Sequence, residues 1–116
     1  MIFKQKSIKC IFHDDDTIEL LEDMIVQFAG VEIGIPKGFT CDGSSIPRFF
    51  WRVCGSPKMS VNLKPGILHD YLYRTNMYDR EYCDLIYFKA LRSCGKNFVI
   101  AKMMYYAVRT FGASHY

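Results

Sequence analysis

The chain has 116 residues, of which 50 % are apolar and 16 % aromatic, and its formal net charge is +3. That supplies one hydrophobic core and excludes a disordered chain, while no apolar run approaches the ~18 residues of a membrane span. Lys4, Lys6 and Lys9 cluster, but no long basic run or aromatic-basic ladder points to nucleic acid.

The five cysteines are an odd number and match no zinc-finger spacing. Cys83 and Cys94 fall on one predicted helix about three turns apart, too far for a mutual disulfide. The first residues, Met1-Ile2-Phe3-Lys4-Gln5-Lys6, lack the apolar stretch of a secretory signal. Reduced thiols and cytosolic synthesis are therefore expected. The chain reads as a single domain over 1–116: mainly β over 1–36, loop and short helix over 37–64, and helical over 65–112.

Residues 2–12 fit one strand, and Asp14-Asp15-Asp16 marks a solvated turn, since no glycine follows at calcium-loop spacing. Residues 17–28 are ambiguous between strand and helix. Met24–Phe28 and Val31–Ile35 read better as a hairpin around Ala29-Gly30, closed by Pro36-Lys37-Gly38. Phe39 to Pro47 forms a polar, glycine-bearing loop. Ser45 caps a short helix with Pro47 in its first turn, running through Phe49-Phe50-Trp51.

Residues 53–64 read as irregular. Pro65 suits the first turn of a helix over 65–75, packed through Leu68, Tyr71 and Leu72. Asp79 is a natural N-cap for a helix over 80–94 that Gly95 closes, with Asp84, Tyr87, Phe88 and Leu91 on one stripe. A last helix over 97–111 presents Phe98, Ala101, Met104, Tyr105 and Val108 to the core. The predicted fold is α+β, an N-terminal antiparallel sheet of three or four strands followed by a C-terminal three-helix bundle.

The first two helices form an antiparallel hairpin bent near Met77. His69 lies eight positions before Met77 and Asp84 seven after it. Both arms rise ~1.5 Å per residue, so the two side chains reach the same height and can face each other. A carboxylate that fixes the tautomer of an imidazole and stabilises the imidazolium makes a general base. Tyr73, one turn after His69, joins the cluster. Asp70 points ~100° away from His69, toward the loop. There Asp42 and a backbone carbonyl near Gly43 could share a hard cation with it, calcium before magnesium. The alternative is structural: His69 and Asp84 as a buried pair, Asp42 and Asp70 as turn and surface residues. Arg74 and Arg80 flank the bend, where Asp79 and Glu81 are their expected partners.

Two resemblances follow from these motifs. The strings Ile35-Pro36-Lys37-Gly38-Phe39-Thr40-Cys41-Asp42-Gly43-Ser44-Ser45-Ile46-Pro47, Leu68-His69-Asp70-Tyr71-Leu72-Tyr73-Arg74 and Arg80-Glu81-Tyr82-Cys83-Asp84 resemble a family of small phage and prophage proteins catalogued as a domain of unknown function. The likeness covers roughly residues 20–112. It implies viral origin, synthesis in a host cytoplasm, incorporation into a virion and other virion proteins as partners.

More distantly, the Asp-Gly-Ser loop, the His-Asp-x-x-Tyr helix and the later helical Asp are similar to secreted phospholipases A₂, especially the short prokaryotic forms. That likeness implies a phospholipase A₂-like hairpin, with calcium on Asp42, Gly43 and Asp70. His69 would be the base, oriented by Asp84, and the substrate an ester at a lipid or membrane surface. The departures are unmatched cysteines, a loop with one glycine and a shorter His-to-Asp spacing. The leading expectation is a metal-assisted hydrolase of phospholipase A₂ type. A non-catalytic phage structural or host-interaction protein is the alternative. A peptidoglycan or peptide hydrolase fits less well, with one histidine available as ligand.

Overall fold

A computed structural model of the chain describes residues 1–41, 48–56 and 60–116, with the backbone alone at Arg48, Ser60 and His115. The chain divides into two units, Met1–Asp42 and Gly43–Tyr116.

The first unit holds two three-stranded antiparallel sheets. In one, β1 (Ile2–Phe3) pairs with β4 (Met24–Phe28), which pairs with β5 (Val31–Ile35). In the other, β2 (Cys10–Phe12) pairs with β3 (Ile18–Leu20), which pairs with β6 (Thr40–Cys41). The β4–β5 hairpin stands where expected. Ala29 (φ 51°) and Gly30 (φ 77°) both take positive φ, as the two-residue turn that follows strand twist requires. Alternate side chains Met24 and Val26 face Ile33 and Ile35, all four buried.

The expected single strand over 2–12 is instead two strands, and the expected single sheet is two. The aspartate turn explains this. The Thr17 amide and hydroxyl both donate to Asp15 Oδ1, at 3.1 and 2.7 Å. This Asx turn folds β2 back on β3, so Phe12 opposes Ile18, and β1 is left to pair elsewhere.

The second unit is helical. A 3₁₀ turn at Arg48–Phe50 leads into the short α1 (Trp51–Cys54), then α2 (Ser60–Thr75), α3 (Arg80–Ser93), α4 (Phe98–Phe111) and a final 3₁₀ turn over Gly112–His115. The expected capping role of Ser45 and Pro47 lies outside the described residues. Where a start at Pro65 was expected, α2 begins at Ser60 and carries Pro65 in its interior. Tertiary tethering outweighs the lost backbone bond. Buried Asn62 donates from Nδ2 to the carbonyls of Cys54 (3.1 Å) and Ser56 (3.0 Å), fixing the first turn of α2 to the end of α1.

The other helix ends follow their caps. Asn76 (φ 49°) takes the left-handed conformation after α2. Asp79 accepts from the Tyr82 amide, and Asn97 from the Ile100 amide. Gly95 (φ 97°) ends α3. The core joins Cys54 to Tyr87, Leu91, Ala101, Met104, Ala107 and Val108, so α3 and α4 are held face to face and α1 covers α4. Phe98, expected inside, is exposed. It sits in the first turn of α4 and meets α3 through an edge contact with Phe88, centroids 5.8 Å apart, and through the Arg92 guanidinium over its ring.

Candidate functional site

The α2–α3 hairpin brings His69, Tyr73 and Asp84 together. The turn of α2 that puts Tyr73 above His69 also stacks their rings, centroids 4.2 Å apart, and Tyr87 of α3 covers the imidazole from another side at 4.6 Å. Two aromatic walls fix the imidazole plane. His69 Nε2 then meets Asp84 Oδ1 at 2.7 Å. The carboxylate only accepts, so Nε2 carries a proton and donates it to Asp84. The Tyr73 hydroxyl donates to the same oxygen. Both members of the pair are enclosed: His69 is 1 % exposed and Asp84 0 %.

A carboxylate cannot be buried alone. Arg109 of α4 supplies the counter-charge, its Nη1 2.9 Å from Asp84 Oδ2 with the arginine side chain 30 % exposed. Burial pushes the Asp84 carboxyl up, but the bonds from His69 and Tyr73, together with Arg109, hold it below the ordinary carboxylate value. Asp84 is therefore an anion with donors on both oxygens. Burial and the neighbouring Asp84 drive the Tyr73 phenol well above its usual range, so it stays a donor.

Arg80 holds the frame from behind. Its Nη2 donates to the carbonyls of Val108 (2.8 Å) and Arg109 (2.6 Å) in the last turn of α4, where the helix C-terminus favours a cation. Its expected pairing across the bend is thus replaced by a helix-end contact, which also sets the position of Arg109. Tyr116 closes the cluster, with its ring edge-on to Tyr73 at 5.2 Å and its hydroxyl 2.6 Å from the Tyr78 carbonyl.

Sequence reasoning brought out His69, Tyr73 and Asp84 and missed Arg109. No local spacing links residues 84 and 109. The available signal was chemical: a carboxylate in an apolar stripe needs a cation, and α4 offers two. Asp70, expected to turn toward the loop, is 9 % exposed. Its negative charge adds to burial in raising the Tyr87 phenol. Asp42 and Gly43 lie outside the described residues. Among the described residues no group of three or more His, Cys, Asp and Glu side chains could hold a metal ion. One described carboxylate, Asp70, falls short of the six to eight oxygens calcium takes.

All five cysteines are free thiols, and no described helix is long and apolar enough to cross a membrane.

The family described as "Protein of unknown function (DUF1353)" matches residues 18–108. The chain is also similar to "Uncharacterized protein y4jT" of Sinorhizobium fredii (strain NBRC 101917 / NGR234). The two are 34 % identical over 83 residues, 72 % of this chain and 25 % of that protein. The aligned part thus spans about a quarter of the relative's length. No solved structure matches the chain.

Proposed function

This chain belongs to the DUF1353 family, and we propose that it is a metal-assisted hydrolase of phospholipase A₂ type, acting on an ester at a lipid surface. The observation that carries this reading is the 2.7 Å bond from His69 Nε2 to Asp84 Oδ1, made across a helical hairpin whose aromatic walls fix the ring. Asp84 holds Nε2 protonated, which leaves Nδ1 as the base. As a water oxygen attacks the ester carbonyl, Nδ1 takes the water proton, and Asp84 stabilises the imidazolium across the same bond. When the intermediate collapses, the ring returns that proton to the leaving alkoxide, and the base is restored.

Asp70, with Asp42 and the Gly43 carbonyl, belongs to the same reading as the holder of a calcium ion, with magnesium second. When bound, the cation would polarise the carbonyl or phosphoryl oxygen. The three-helix bundle with a phospholipase A₂-like hairpin is its fold counterpart. Origin in a phage or prophage, synthesis in a host cytoplasm and a place among virion proteins rest on resemblance and stand as proposals with it.

The enclosure of His69, 1 % exposed, favours a second reading, a non-catalytic phage structural or host-interaction protein in which the pair only staples α2 to α3. Hydrolysis of phosphatidylglycerol and phosphatidylcholine by the full chain, with and without calcium, separates the two. The hydrolase reading expects fatty acid release that His69→Gln abolishes and Asp84→Asn lowers by roughly a hundredfold or more. It also expects a calcium-dependent rise in Tm that Asp70→Asn removes. No release from any ester, with Asp84→Asn altering stability alone, would establish the scaffold.

A further inference from the structure

The outer face of α4 does not read as a surface meant only for water. Val99 (65 % exposed) and Tyr106 (58 % exposed) stand on it with Phe98 and Met103, and Phe111 is exposed at its end. A helix that meets only solvent carries polar residues there. The same part of the chain is one-signed. From residue 85 to the last residue it contains Lys89, Arg92, Lys96, Lys102 and Arg109, and no Asp or Glu.

The cations are interleaved with the apolar residues. Lys102 Nζ lies 5.1 Å from the ring centroid of Phe88, 5.6 Å from Tyr105, 5.8 Å from Tyr106 and 5.9 Å from Phe98. The Arg92 guanidinium stands 5.8 Å from the Phe98 ring.

We propose that this face docks on the surface of an anionic lipid bilayer. Aliphatic and aromatic side chains on one face of a helix enter the headgroup–acyl boundary, and cations among them meet anionic headgroups. Charge argues against the face covering itself in a dimer, because a second copy would bring Lys89, Arg92 and Lys102 up against the same cations. Single-stranded nucleic acid would satisfy the charge and stack on Phe98 and Tyr106, but it gives the exposed Val99 and Met103 nothing to enter. The docking rests on α4 and the end of α3 beside it and does not depend on any chemistry at His69.

Flotation of the full chain with vesicles tests this. The vesicles are pure phosphatidylcholine in one arm and phosphatidylcholine with an equal share of phosphatidylglycerol in the other. The chain should float with the anionic vesicles, stay behind with the neutral ones and be released by raised salt. Val99→Asp with Tyr106→Asp, both at exposed positions, should lower partition on the order of tenfold or more. Lys89→Gln with Lys102→Gln should do the same, since each cation near such a surface is worth roughly fivefold. Circular dichroism checks that each variant is folded. Equal flotation with neutral vesicles, or anionic binding untouched by either pair of substitutions, overturns the assignment. So does failure to float combined with a dimer or a nucleic-acid complex that Val99→Asp disrupts. Vesicle binding without ester hydrolysis would leave the docking face standing and remove the hydrolase.

Discussion

The Tyr73 hydroxyl occupies the space into which a side chain at Gly112 would project. A Cβ on Gly112 would lie 3.0 Å from that oxygen, tighter than ordinary contact. The hydroxyl cannot retreat freely, because it is bonded to Asp84. Gly112→Ala should therefore cost about 1–3 kcal/mol through overpacking. In a chain that already carries Tyr73→Phe the cost should shrink, since the obstructing oxygen is gone. A double-mutant cycle by urea denaturation reads the coupling. Strictly additive costs would show that the two residues do not press on each other.

Asp84 makes stability depend on pH with a definite sign. Its folded carboxyl lies below the ordinary value because the His69, Tyr73 and Arg109 bonds together outweigh burial. The folded state then binds fewer protons than the unfolded one, so this contribution is fully present above the unfolded aspartate value of about 3.9. It is lost as pH falls toward and through the folded value. Denaturation midpoints measured from about pH 6 downward should fall more steeply for the natural chain than for Asp84→Asn. Parallel curves would mean that the cluster does not hold the charge.

Removing Arg109 should be costly even though the arginine is partly exposed. Arg109→Met keeps much of the stem but leaves a buried carboxylate with two donors and no fixed cation. The expected loss is roughly 2–3 kcal/mol, below the 3–5 kcal/mol of a pair with no other partners. Arg109→Met with Asp84→Leu should recover part of it, because no charge remains to be compensated. Thermal unfolding of the three variants measures this, and an unchanged Tm for Arg109→Met would contradict the pairing.

The thiols should differ in reactivity while all remain reduced. Cys41, Cys54 and Cys83 are buried, and Cys10 and Cys94 are partly exposed. Burial and the adjacent Asp84 push the Cys83 thiol up to about 11, so thiolate is scarce there at neutral pH. A thiol reagent should find five groups under denaturing, non-reducing conditions, with Cys83 among the slowest in the native chain. Two fewer groups would reveal a disulfide.

Helix caps and the strand hairpin were legible in the sequence because their chemistry is local. Ala29-Gly30, Asp79 and Gly95 each act within a few residues of where they stand. The His69–Asp84 meeting was legible for a geometric reason, since two arms of equal rise bring equidistant residues level. The rest depended on long-range contacts. The start of α2 follows from Asn62 reaching Cys54 and Ser56, which no propensity reports. Arg109 reaches Asp84 across 25 positions, and Arg80 is drawn to carbonyls of another helix rather than to neighbouring acids. The exposure of Phe98 depends on how far α3 extends over α4, which apolar periodicity does not encode.

The proposed chemistry turns on which nitrogen of His69 holds the proton, and nitrogen NMR of the imidazole in the full chain reads that directly. The proposed base requires a neutral ring with Nε2 protonated and Nδ1 bearing the lone pair, and Asp84 accepting from Nε2 requires a coupling between the Nε2 proton and Asp84 that disappears in Asp84→Asn. A ring protonated on Nδ1 alone would contradict this arrangement. A ring charged at both nitrogens throughout the neutral range would leave no base at His69 to activate water.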